Sequence, residues 1–230
     1  MTSDTQPSAR SGWTRKLWQQ IEGTFQAILA HPFISGLTAG TLEPAAFYYF
    51  LCQDHCYVSE TPNAISLLSA KAPTAAARAT LASHAAESHN IELALHRDLA
   101  AAIGKDAAGL SEAQASPTTR AYLSFVLSTV YRADFAAGLA AVLPCYWLYA
   151  EVGRHLGGIG SPNPVYQNWI NAYANPLYHG DVIAALNLAD EVGSDLPDAS
   201  ERSARAHFAM GARYEWMFWD AAWRGEVWPI

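Results

Sequence analysis

Three residues could do chemistry: two acids where helical spacing calls for apolar side chains, and a thiol directly after a proline. In "RAHFAMGARYEWMFWDAAW", residues three and four apart read Phe208, Ala212, Glu215, Trp219 and Ala222, so Glu215 shares the core-facing stripe. A buried carboxylate without a partner is expensive, or it gives up its charge. Such a group serves either as a functional acid/base or as a structural hydrogen-bonding residue. In "EPAAFYYFLCQDHCYVSE", Asp54 falls in the same way among Phe47, Phe50 or Leu51, and Tyr57 or Val58. An acid in an aromatic wall suits the grip of an amino-heterocycle, whose N–H groups it accepts while rings cover the flat faces. The plainer alternative is an acid paired with a nearby Arg or Lys. The third residue is Cys145 in "VLPCYWLYAEVG". Pro144 either begins a helix or kinks a continuous one. If it begins one, the thiol lies in the first turn, where the macrodipole favours a thiolate. Otherwise Cys145 is a small buried hydrophobe, the commonest fate of a free cysteine. Cys52 and Cys56 lack even the helix-start argument.

Tyr122, Tyr149 and Tyr173 lie on stripes shared with Phe125 or Val126, Val152, and Trp169. Each reads as core with a satisfied hydroxyl unless a site gathers them. A metal centre is a further possibility, because "SHAAESHNIELALH" sets His89, Glu92 and His96 on one stripe. Glu151, His155 and His179 are available as additional ligands, but no second Glu-x-x-His pair occurs, and a solvated face is the better expectation.

The elements that must position these groups are helical. Thr41 is a candidate N-cap ahead of Pro44, and Ser116–Pro117 and Asn163–Pro164 repeat the pattern of cap followed by proline. Alanine- and leucine-rich runs fill the intervals, and alternating strand patterns are missing. The expected helices cover 13–30, 43–71, 74–103, 117–141, 144–157, 164–174, 177–192 and 200–224. Residues 1–12 read as a disordered tail and 13–230 as one all-α domain. At 230 residues, 51% hydrophobic and 15% charged, the chain buries a large core unaided and has apolar surface to spare for an oligomer. A net charge of −7 with scattered Lys and Arg argues against nucleic acid. Three cysteines without a pairing pattern point to a reducing compartment, the cytoplasm. No secretory leader or run of membrane-spanning length is evident, so no membrane partner is expected.

Taken together, "HPFISGLTAGTLEPAAFYYFLCQD", "SAKAP", "PCYWLYAEVG" and "YEWMFWDAAW" resemble the TenA (thiaminase II) family, in its cysteine-bearing branch. The resemblance covers nearly all of the chain after the tail. It implies a haem-oxygenase-like helical bundle, commonly a homotetramer, that needs no metal or other cofactor. It also implies hydrolysis of 4-amino-5-aminomethyl-2-methylpyrimidine to the hydroxymethylpyrimidine and ammonia for thiamin salvage, with thiamin as a possible second substrate. Carried over by position, the nucleophile falls on Cys145, the general acid/base on Glu215 and the aminopyrimidine grip on Asp54. Tyr122 would flank the ring, Tyr149 support the catalytic groups and Tyr173 bond the heterocycle, while Tyr57 and Phe218 match other pocket positions. "QDHCY" departs from the family by placing His55 and Cys56 beside the binding acid. The rival expectations are a non-catalytic pyrimidine binder and a metal-dependent oxidase on the same fold.

Overall fold

The computed structural model describes residues 4–230, apart from the side chains of residues 87–90. Proline and polar caps set most of the helix starts. Pro32, Pro44, Pro117, Pro164 and Pro176 each open a helix, where the missing N–H is one the helix could not have used. Thr74, Ser116, Asp134, Asn163 and Asn175 accept hydrogen bonds from backbone N–H groups of the first turns they precede. The helices are α1 (Trp13–Leu29), α2 (Pro32–Ala39), α3 (Pro44–Ala70), α4 (Ala75–Ala102), the short α5 (Ala108–Ser111), α6 (Pro117–Arg132), α7 (Phe135–Gly157), α8 (Pro164–Tyr173), α9 (Pro176–Gly193) and α10 (Asp198–Arg224). The described residues contain no strand.

α7 is the central helix. It packs against α10, α6, α8 and α9, and nearly all its side chains are buried. Among the described residues it alone is long and apolar enough to cross a membrane, but its apolar faces are covered by the protein's own helices. One hydrophobic cluster runs from Trp13 on α1 to Ala222 on α10, and Phe50 stacks on Trp219 at 4.8 Å within it.

Four expectations need correction. First, the chain breaks at Ala133–Asp134, where Asp134 caps α7, and Pro144 lies inside that helix. Cys145 therefore stands near the middle of a continuous helix, and the first-turn dipole argument for a thiolate does not apply. Pro144 is accommodated because it faces Gly211 on α10: a Cβ there would lie 2.7 Å from Pro144 Cγ. Second, Glu43, not Thr41, occupies the position before Pro44. Third, α2 and α5 form where the sequence reads as connection. Fourth, residues 4–12 dock on the bundle, and only residues 1–3 of the expected tail lie outside the described residues. Trp147 Nε1 donates to Thr5 O at 2.7 Å, and the buried Arg10 pairs with Asp190 on α9. A buried guanidinium with a carboxylate partner fixes a segment that composition alone marks as loose.

Candidate active site

Seven helices converge on one cavity, which encloses about 580 Å³ including its mouth, well suited to a small molecule. α3 supplies Asp54 and Tyr57, one helical turn apart; α6 supplies Tyr122; α7 supplies Cys145 and, one turn on, Tyr149; α10 supplies Glu215 and Phe218. Tyr173 comes from the last residue of α8. Its placement depends on Gly153, where a Cβ would lie 2.4 Å from the Tyr173 carbonyl carbon. All eight residues expected from the sequence line this single cavity.

Its polar groups are held in defined arrangements. Glu215 is buried, and its Oε1 accepts from the Tyr122 hydroxyl at 2.7 Å. Burial outweighs that hydrogen bond, and with the nearby Asp54 charge it pushes the Glu215 carboxyl up to about 8. Asp54 Oδ2 meets His96 Nε2 at 3.0 Å, and both residues are buried. His96 Nδ1 has no hydrogen-bond partner among the described residues, so the ring is held through Nε2. The half-buried Cys145 thiol donates to Val142 O at 3.2 Å. Burial first, and the Glu215 charge second, raise its pKa well above that of an ordinary thiol. Cys145 at rest is therefore a thiol and needs a base in order to attack. The Tyr57 hydroxyl stands beside Cys145 and Tyr122, without a hydrogen-bond partner among the described residues. Its ring lies 4.8 Å from that of Tyr122, and the Tyr149 and Tyr173 rings lie 5.0 Å apart, so flat aromatic surfaces flank the acids.

The candidate metal ligands go separate ways. His96 bonds Asp54, Glu92 lines the cavity, and the buried Glu151 pairs with Arg154 at 2.7 Å. His179 bonds Thr5 and the Tyr173 carbonyl, His155 is exposed, and the His89 side chain lies outside the described residues. Among the described residues no three His, Cys, Asp or Glu side chains gather as metal ligands. The solvated face expected for this α4 stretch is corrected at Glu92 and His96, which turn inward. The sequence offered both only as metal ligands or as a solvated face, with no sign of Tyr178, Tyr146 and His84 on the same wall. His55 and Cys56 line a separate surface groove with Arg120 and Trp228, and Cys56 Sγ donates to Ala113 O at 3.3 Å.

A family model described as TENA/THI-4/PQQC family matches residues 18–225. The chain belongs to this family. It is 33% identical over 207 residues to the aminopyrimidine aminohydrolase of Bacillus subtilis, covering 90% of this chain and 86% of that protein. The TenA homologue from P. horikoshii OT3 superposes with a TM-score of 0.84 at 27% identity, over 94% of this chain and 100% of that one. A domain from Shewanella denitrificans described as having a heme oxygenase-like fold matches at TM-score 0.73 and 16% identity, covering 92% of each chain. The expected family and the haem-oxygenase-like all-α fold are thus those found.

Proposed function

We propose that the protein hydrolyses 4-amino-5-aminomethyl-2-methylpyrimidine to the hydroxymethylpyrimidine and ammonia in thiamin salvage, with Cys145 as nucleophile. The observation that carries this reading is the meeting of one thiol and two carboxyls, Asp54 and Glu215, in a single tyrosine-walled cavity. The name borne by the B. subtilis relative supports the substrate class.

Asp54, held on Oδ2 by His96, offers Oδ1 to the ring's amino edge, and the tyrosines cover its faces. Because the thiol is protonated at rest, Glu215 in its ionised form takes the Sγ proton as sulfur bonds to the ring carbon beside the substituted one. Aromaticity is lost, and the ring electrons expel the exocyclic ammonium group as ammonia, which takes the proton from Glu215 and departs as ammonium. Water then adds to the exposed methylene while Glu215 takes its proton. Expulsion of sulfur restores the ring, and the proton returns to Cys145. One hard displacement becomes two easier steps, and a carboxyl poised at about 8 serves both proton transfers near neutral pH. Thiamin, with the thiazole as leaving group, is a second substrate in this scheme.

Exposed Tyr131, Leu177, Met217 and Trp223 support assembly as a homotetramer, which light scattering measures. The functional test is ammonia release from the aminomethylpyrimidine by wild type, Cys145→Ala and Glu215→Gln. Turnover by wild type with a loss of about a thousandfold or more in each variant is expected; undiminished release by a variant removes that residue from the mechanism.

A further inference from the structure

The scheme above uses two carboxyls, yet the cavity holds three. Glu92, on α4, lines the same space as Asp54, Cys145 and Glu215. Asp54 has His96 and Glu215 has Tyr122, whereas the Glu92 carboxyl has no hydrogen bond or ion pair among the described residues. A polar group turned into a cavity without an internal partner is one that a ligand can satisfy. Burial and the Asp54 charge hold this carboxyl at about 8, so it is largely uncharged at neutral pH.

Charge balance says what kind of ligand group it meets. An aminomethylpyrimidine approaches with its primary amine protonated, while the ring edge gripped by Asp54 presents N–H donors. Asp54 answers the ring. Glu215 is occupied with proton transfer, and its charge must alternate during turnover. No Lys or Arg lines the cavity among the described residues, so nothing there competes for a carboxylate. The remaining counter-charge is Glu92, which an arriving ammonium would ionise. We propose that Glu92 is the counter-ion of the substrate's exocyclic ammonium and thereby a specificity-determining residue for substrates that carry a protonated amine. This inference rests on the function proposed above.

The test measures Kd by calorimetry in a Cys145→Ala background, so that no turnover intrudes. The ligands are the aminomethylpyrimidine, which is cationic at its substituent, and the hydroxymethylpyrimidine, which is neutral there. Glu92→Gln, and Glu92→Met as an apolar side chain of similar length, are expected to weaken the aminomethyl compound about 10- to 100-fold. The hydroxymethyl compound should stay within about twofold. Equal weakening of both ligands, or no change in either, overturns the proposal. Failure of the parent protein to bind either pyrimidine refutes the function itself, and the role of Glu92 falls with it.

Discussion

Replacing Tyr122 with Phe deletes one hydroxyl and leaves the aromatic wall in place. That hydroxyl donates to Glu215 Oε1 at 2.7 Å and is the one group that pulls the Glu215 carboxyl down against the effect of burial. A hydrogen bond to a charged group is worth about 1.5–3 kcal/mol, and each pKa unit corresponds to about 1.4 kcal/mol. Removing the bond therefore moves Glu215 from about 8 to about 9 or 10. Because Glu215 must be ionised to take the thiol proton, the ascending limb of kcat/KM moves upward by the same amount. At pH 7 the loss is about 10- to 100-fold, and it shrinks as the pH rises. The assay is ammonia release from the aminomethylpyrimidine between about pH 6 and pH 10. A limb that stays in place while activity drops equally at every pH would refute the reasoning, as would a limb that moves down.

Further outcomes follow from the same geometry. Asp54→Asn keeps the size but removes the charge that grips the ring, so hydroxymethylpyrimidine binding by calorimetry should weaken about 10- to 100-fold. Gly153→Ala drives a Cβ to within 2.4 Å of the Tyr173 carbonyl carbon. Urea unfolding should show a loss of about 1–3 kcal/mol, and an unchanged midpoint would mean that α7 and α8 are not in close contact there. Glu92 and Glu215 both rise from 4.5 to about 8 in the fold, so the native state holds protons that the unfolded chain has released. Their contribution to stability is fully present below about pH 4.5 and is lost as pH rises through about 8. Tm of the protein without ligand should therefore fall between about pH 5 and pH 8, and a rising Tm would contradict the placement of these groups.

Much of the architecture was legible because its signals are local. Ser116, Asn163 and the prolines behind them mark helix starts within a few residues, and stripe positions put Asp54 and Glu215 on inward faces. What depends on contacts between distant segments was not legible. Pro144 looks like a helix start until Gly211, from the last helix, is seen to make room for it. Residues 4–12 look loose until Asp190, far along the chain, receives Arg10. The pairing of Asp54 with His96 spans 42 residues, and no periodicity encodes it. Glu92 and His96 read as a polar face because their stripe alternates with exposed positions. Only the packing of α4 on α3 shows which way they turn.

The most direct test of the account is a crystal structure with the hydroxymethylpyrimidine bound. The account predicts the ring between the tyrosine walls, its amino group within hydrogen-bonding distance of Asp54 Oδ1, and Cys145 Sγ about 3.5 Å from the ring carbon it is to attack. A ring bound in the outer groove beside Cys56 and Trp228, or one whose far edge faces Cys145, would contradict it.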